Sequence, residues 1–180
     1  MPSSEWKFHK DLYKNREDIN AIIHTHSTYA SSLSCLRKSL PAFHYMIALA
    51  GGKDIKTADY AVYGSKELSN NIIKVIKNRK ACLIANHGQL CIGNNLEDAF
   101  ELSQEIELLC EYYYKCKLIG KPKLINDFEM QKVLNESAKK RGHDTEVVSY
   151  LRCYMNIAKA KPRIFFQGRA INYDCLLYTS

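Results

Sequence analysis

The sequence predicts a layered α/β domain of mixed strands and helices. Short apolar runs at 21–24 and 81–85 are bounded by polar or turn residues, as buried strands are. Longer segments at 66–77 and 95–118 repeat apolar residues at helical spacing. The chain has 180 residues, which is enough for one domain with a substantial core. Alternating strands and amphipathic helices of these lengths favour helices packed on a sheet.

The first half of the chain is predicted to begin with a helix. This helix starts near Pro2 and ends at Asn15, because Pro and Ser suit the first helical positions and Glu5 favours the positive end of the helix dipole. The predicted elements that follow are a strand, a helix, an extended connector, an apolar segment before Gly51-Gly52 and a short strand, over residues 21–24, 27–36, 40–43, 44–50 and 58–63.

The next segment is predicted to place a strand hairpin between two helices. The helix over 66–77 is followed by the wholly apolar strand 81–85, which ends at the sequence Asn-His-Gly. Residues 89–92 are the predicted hairpin partner of that strand. A long helix then covers 95–118, with an Asn cap and an acidic first turn.

The pattern changes near residue 142. Helical and strand periodicity weakens from Arg141, and basic residues cluster in the remaining segment. We therefore predict one domain over residues 1–142 and an atypical tail, disordered or non-native, over residues 143–180.

Composition and charge exclude several function classes. The net charge is +7, but most of the excess follows residue 120. The absence of a compact Lys/Arg run with interleaved aromatics predicts no nucleic-acid binding. No apolar run approaches the roughly 20 residues that span a bilayer, so no membrane partner is predicted. The N-terminus lacks the apolar core of a signal peptide, and the seven cysteines form no C-x-x-C pair. A reducing, cytoplasmic protein without disulfides is expected.

Three histidines follow or end the two apolar runs. His24 and His26 are two residues apart, so they project to the same side of a strand. An isolated H-x-H also fits two structural histidines that bond to backbone. His87 ends the second apolar run and favours a Zn²⁺ site with an open position, which is typical of catalysis. Glu5 is the predicted carboxylate for the fourth position or for a base beside the metal.

The sequence also contains six motifs: S-S-E-W-K-F-H, I-I-H-T-H-S, P-A-F-H-Y-M-I-A-L-A-G-G, Y-A-V-Y-G-S-K-E-L-S, N-R-K-A-C-L-I-A-N-H-G and N-L-E-D-A-F. Together they resemble the class II aldolase/adducin family, nearly without gaps over residues 2–125. The resemblance implies a central mixed, mainly antiparallel sheet with flanking helices. It also implies a cyclic homotetramer whose active sites lie at subunit interfaces.

Metal roles carry over from this resemblance to four residues. His24, His26 and His87 match the histidines that bind zinc in the family. Glu5 matches the carboxylate that ligates zinc at rest and acts as acid or base when substrate is bound.

Substrate roles carry over to four further residues. Ser3 and Ser4 match serines that bind the substrate phosphate, and hydroxyls before a helix N-terminus suit an anion. Tyr45 matches a proton donor that reaches into the neighbouring subunit's active site. Tyr63 stands where the family has an aromatic wall residue, here with an extra hydroxyl.

The resemblance is strongest to bacterial members that cleave L-fuculose 1-phosphate. It implies a zinc-dependent aldolase that converts this or a related ketose 1-phosphate to dihydroxyacetone phosphate and L-lactaldehyde. Alternatives are a pentulose-phosphate 4-epimerase, a methylthioribulose-phosphate dehydratase, or a non-catalytic adducin-like interaction module. The family's fold begins earlier, with a segment that completes the phosphate pocket. The chain starts just before Ser3, so a fragment of a longer protein or a shortened, inactive relative is expected.

Overall fold

The structure is a computed structural model that describes residues 3–140, with side chains as far as residue 137. The predicted tail 143–180 lies outside the described residues. A 3-10 helix covers Tyr45–Ala50. The other elements in chain order are α1 Trp6–Asn15, β1 Ala21–Thr25, α2 Thr28–Ser34, β2 Thr57–Ala58, α3 Lys66–Ile76, β3 Ala81–Ile84, β4 Gly88–Gly93, α4 Leu96–Ile119 and α5 Asp127–Lys140.

The sheet is mixed and mainly antiparallel, in the order β1-β4-β3-β2. Strand β4 pairs antiparallel with both β1 and β3, and β2 pairs parallel with β3. This confirms the α/β fold class and the hairpin of β3 with β4. The hairpin places the β3–β4 turn beside the end of β1, since Thr25 is paired with Gln89 and Ile84 with Gly88.

Helices cover both faces of this sheet. Leu83 and Cys91 point to the face covered by α2, α4 and α5, while Ile84 and Leu90 point to the face covered by α1 and α3. Burial on both faces explains why β3 is apolar at every position. The β3–β4 turn and the end of β1 lie at the same end of this three-layer arrangement.

Three segments differ from the sequence prediction. The strand predicted over 58–63 is wrong beyond its first residue, because β2 ends at Ala58. Its partner β3 ends at Ile84, opposite Ala58, so the following residues have no strand to pair with. The apolar segment 44–50 forms the 3-10 helix, and the sequence pattern assigned no element to α5.

Among residues 3–140, no helix combines the length and the apolar character needed to cross a bilayer. The cysteines in the same part of the chain are free thiols: Cys35, Cys82, Cys91, Cys110 and Cys116.

Candidate metal centre

Three imidazole rings meet where β1 ends and β3 turns into β4. The ring centroids of His24, His26 and His87 are 4.7 to 4.9 Å apart in all three pairs. One ring nitrogen from each residue lies within 4.8 Å of the other two, and Nε2 of His24 lies 3.0 Å from Nε2 of His26. Tetrahedral Zn²⁺ with bonds of about 2.0–2.1 Å separates two nitrogen ligands by about 3.3 Å. The spacing therefore fits a metal after small side-chain adjustments.

The backbone sets which nitrogen of His24 is available. Its Nδ1 lies 2.8 Å from the carbonyl oxygen of Gln89 on β4. A carbonyl oxygen only accepts hydrogen bonds, so Nδ1 carries the proton and Nε2 keeps its lone pair. That nitrogen lies 3.0 Å from Nε2 of His26. A histidine held in this way by a backbone carbonyl is a common arrangement for a metal ligand.

Burial keeps the three imidazoles neutral at neutral pH. It lowers the pKa of His24 to about 3, with a smaller contribution from His87, and lowers the pKa of His87 to about 4. The pKa of the more exposed His26 is also lowered by burial. Neutral imidazoles bind a metal cation without first releasing a proton. The chemistry of the donor set therefore fits a divalent transition metal, which could bind here.

Gly88 allows β4 to approach β1 beside the histidines. A Cβ at this position would overlap the Thr25 carbonyl oxygen and lie 3.1 Å from Cδ2 of His26. The preceding turn also depends on Asn86, which has a left-handed backbone with φ 53°. Glycine is thus needed for close backbone approach, and the turn brings His87 to the end of β1.

We expect Gly88→Ala to push β1 and β4 apart and to displace His26. Overpacking of this kind costs about 1–3 kcal/mol of unfolding free energy. Urea unfolding and zinc titration would measure the two effects together. Gly120→Ala is the matched control, because a Cβ at Gly120 meets nothing within 4 Å and the change should stay within about 0.5 kcal/mol. Equal stability and equal zinc affinity in the two variants would contradict the role of Gly88 in the close approach of β4 to β1 beside His26.

Glu5 lies at the N-cap of α1 and is 7% exposed. Its Oε2 is buried and has no hydrogen-bond partner. Burial raises the pKa of Glu5, although the backbone N–H of Gly64 donates to its carboxylate and lowers the pKa in part. Glu5 is not a member of the three-histidine group. The face of α1 that carries it does reach the group, since Phe8 packs edge-on against His24 with centroids 5.4 Å apart.

The predicted phosphate and wall residues surround this N-terminus. The Ser3 hydroxyl accepts a hydrogen bond from the Glu5 N–H at 3.3 Å, and Ser4 is exposed. A Cβ on Gly64, whose φ is +68°, would lie 2.8 Å from the Ser4 carbonyl oxygen. Tyr63 immediately precedes Gly64 in the chain and is 70% exposed. The structure therefore brings Ser3, Ser4 and Tyr63 to the same end of α1 as Glu5.

Tyr45 lies on a different element from these residues. It is the first residue of the 3-10 helix and is 56% exposed. Its ring packs against that of His44, with centroids 4.9 Å apart. His44 itself caps the 3-10 helix by accepting the Met46 N–H, which is the structural role expected for a histidine outside the metal group.

Two residues near the histidines were not found from the sequence. Gln89 orients His24 through its carbonyl oxygen, which depends on strand register rather than on its side chain. Glu107 on α4 binds the N-terminus of α2 next to His26, although it lies 80 residues beyond Ser27. In the sequence Glu107 resembles any acidic residue of a long helix, so no local signal marks it.

The comparisons with known proteins place most of the chain in one family. Residues 1–114 match the family described as the class II aldolase and adducin N-terminal domain. Residues 125–177 match a second description, the RimK PreATP-grasp domain, but most of them lie outside the described residues.

Two relatives carry the same reaction type in their names. The 5-methylthioribulose-1-phosphate/5-deoxyribulose-1-phosphate aldolase of Rhodospirillum rubrum is 43% identical over 148 residues, which cover 82% of this chain and 66% of that protein. The L-fuculose phosphate aldolase of Escherichia coli K12 is 42% identical over 137 residues, which cover 76% of this chain and 64% of that protein.

A solved structure gives the same result. An L-fuculose 1-phosphate aldolase superposes with a TM-score of 0.73 at 47% identity, covering 77% of this chain and 65% of that one. The chain thus spans slightly less than two thirds of the length of these relatives. Because the family model matches residues 1–114 and the fold is shared with a solved aldolase, the chain belongs to the class II aldolase and adducin N-terminal domain family.

Proposed function

We propose that the protein is a zinc-dependent aldolase that cleaves a ketose 1-phosphate to dihydroxyacetone phosphate and an aldehyde. One observation carries the proposal: three neutral imidazoles converge beside α1, which contacts His24 through Phe8, and the buried N-cap carboxylate of that helix, Glu5, has an oxygen without a partner. His24, His26 and His87 would hold the metal, leaving an open position for substrate. Bound there, zinc would supply Lewis acidity that stabilises the charge of an enediolate.

Glu5 is the proposed acid and base for the donor fragment. Cleavage breaks the bond between the α carbon and the hydroxyl-bearing β carbon; the β hydroxyl loses its proton to become the aldehyde oxygen, and the electron pair stays on the donor fragment, which must then gain a proton on its α carbon. A carboxyl with a raised pKa donates and accepts a proton more readily near neutral pH than an ordinary one. Its partnerless oxygen also suits a resting metal ligand, which is the second role proposed for Glu5.

The phosphate is proposed to bind at the N-terminus of α1. Ser3 and Ser4 offer hydroxyls there, and the first N–H groups of a helix attract anions. Tyr63 beside them is the proposed wall of the substrate pocket. This arrangement would hold the phosphorylated end of the ketose close to Glu5.

Tyr45 is proposed to act from a neighbouring copy of the chain. Its exposed phenol would exchange a proton with the hydroxyl of the aldehyde fragment, in the site of the next subunit of a homotetramer.

A cytoplasmic location is also proposed, because the free thiols of Cys82, Cys91 and Cys110 suit a reducing compartment.

The identity of the aldehyde separates two forms of the proposal. L-fuculose 1-phosphate would yield L-lactaldehyde and is the leading substrate. The Rhodospirillum rubrum relative is equally similar to this chain and is named for 5-methylthioribulose 1-phosphate and 5-deoxyribulose 1-phosphate. These ketose phosphates would give the same donor product, so the same metal and acid–base residues would serve each of them.

Release of dihydroxyacetone phosphate tests the proposal. The protein expressed from its complete gene would be given each of the three ketose 1-phosphates, with zinc and with a chelator. Zinc-dependent release is expected, and the substrate with the highest kcat/KM identifies the aldehyde. A zinc-loaded protein that releases none from any of them would overturn the aldolase proposal.

A further inference from the structure

Helix α2 holds the turn that carries His87. The Ser34 hydroxyl accepts the N–H of His87 at 3.2 Å, and the Ser34 carbonyl oxygen accepts the N–H of Asn86, also at 3.2 Å. The Ser31 hydroxyl donates to the carbonyl oxygen of His87 at 3.3 Å. Movement of α2 would therefore move the backbone of His87.

The same helix begins directly after His26. Ser27 is its N-cap, but the Ser27 hydroxyl makes no cap hydrogen bond to its own helix. Instead, Glu107 on α4 accepts the N–H groups of Tyr29 at 2.7 Å and Ala30 at 2.8 Å. A carboxylate at this position also interacts favourably with the helix dipole. A residue far along the chain thus replaces the usual cap and fixes where α2 starts.

Ser27 links Glu107 to the strand that orients His24. Its hydroxyl donates to Oε2 of Glu107 at 2.7 Å and accepts from Nε2 of Gln89 at 2.8 Å. Gln89 is the residue whose carbonyl oxygen binds Nδ1 of His24. Contacts that begin at Glu107 therefore reach all three histidines: His24 through Gln89, His26 through Ser27, and His87 through α2.

We propose that Glu107 is a positioning residue that sets the relative placement of the three imidazoles. Its two oxygens serve three donors, which are the Ser27 hydroxyl and the N–H groups of Tyr29 and Ala30. Glutamine has the same shape but one acceptor oxygen, so at least one donor would lose its partner. The inference rests on the proposed function in one respect, which is that the three histidines bind a metal.

Glu107→Gln in the full chain is the test, with two measurements. The first is the set of imidazole resonances in long-range ¹H–¹⁵N spectra of the metal-free protein. The second is Zn²⁺ affinity by competition with a chromophoric chelator. Glu111→Gln is the matched control: it makes the same change one turn later on α4, where the carboxylate pairs with Lys115 instead. Outer contacts of metal ligands typically change metal affinity by about 10–100-fold.

The expected result is shifted imidazole resonances and at least about 10-fold weaker zinc binding in Glu107→Gln, with neither effect in Glu111→Gln. A folded Glu107→Gln variant that matches the control in both measurements would overturn the inference. If the wild-type chain binds no zinc, shifts confined to Glu107→Gln would still support positioning while the proposed function fails. Unshifted resonances would then overturn the positioning role as well.

Ser27→Ala keeps the inference testable if Glu107→Gln does not fold. It removes the hydroxyl shared by Glu107 and Gln89 and leaves the two backbone hydrogen bonds to Glu107. Shifted His24 and His26 resonances are expected. A folded Ser27→Ala protein with unchanged resonances and unchanged zinc affinity would overturn the role of this link.

Discussion

The His24→Ala variant should bind Zn²⁺ at least about 100-fold more weakly than the wild-type chain. Structural zinc sites bind with about 10–16 kcal/mol, so an even share among the three imidazoles assigns about 3–5 kcal/mol to each. His24 is the innermost of the three histidines and the one whose free nitrogen is fixed by a backbone carbonyl. Its loss leaves two imidazoles that cannot hold the metal tightly. Titration against a competing chelator would measure the change.

His44→Ala is the matched control for this experiment. His44 lies outside the three-histidine group and accepts a backbone N–H at the start of the 3-10 helix. Its loss should lower stability by about 1 kcal/mol as a lost helix cap, with zinc affinity unchanged. Equal zinc affinities in the two alanine variants would show that the metal binds elsewhere.

The Glu5→Gln variant should lose activity by about 10²–10⁴-fold, the usual contribution of a positioned acid or base. Glutamine keeps the shape of Glu5 but cannot transfer the proton. Zinc affinity should fall much less, because the three histidines remain. Steady-state kinetics with saturating zinc would measure the loss. Glu17→Gln is the control, since Glu17 is exposed on the surface. Full activity in Glu5→Gln would remove Glu5 from the proposed chemistry.

The same variant should be more stable than wild type in metal-free protein at neutral pH. Burial raises the pKa of Glu5 in the folded state above its ordinary value of 4.5. The folded state therefore pays for the charged form, and this cost grows as pH rises from about 4.5 through the folded pKa. The stability gain of Glu5→Gln should thus be small at pH 4, grow as the pH rises above 4.5, and level off above the folded pKa. Urea unfolding of both proteins at several pH values, with a chelator present, would measure this difference in stability. A stability gain that shrinks as the pH rises would contradict the raised pKa of Glu5.

Most of the fold could be predicted because its signals are local. The apolar run of β3 and the helical spacing of α3 and α4 appear directly in the sequence, and Asn95 caps α4 as expected. The predictions of secondary structure fail where tertiary contacts, rather than the local sequence, determine the backbone conformation. Residues after Ala58 are β-prone, yet they leave the sheet because β3 has already ended. The 3-10 helix depends on His44 and on the left-handed Gly51, which hydropathy alone does not indicate.

The convergence of the histidines could be predicted from strand geometry for His24 and His26. Period-two alternation places both on one side, and the structure brings their Nε2 atoms to 3.0 Å. The contacts behind them could not be predicted. Gln89 acts through its backbone, and Glu107 acts across 80 residues of chain, so both depend on how strands and helices dock. The metal, phosphate and proton-transfer roles stay predictions.

X-ray absorption at the zinc edge of the purified, zinc-loaded protein tests the metal centre most directly. The predicted result is one zinc per chain with nitrogen and oxygen ligands at about 2.0–2.2 Å, including imidazole scattering that falls in His24→Ala. Sulfur ligands at about 2.3 Å, or a spectrum that the His24 substitution leaves unchanged, would contradict a site built from His24, His26 and His87.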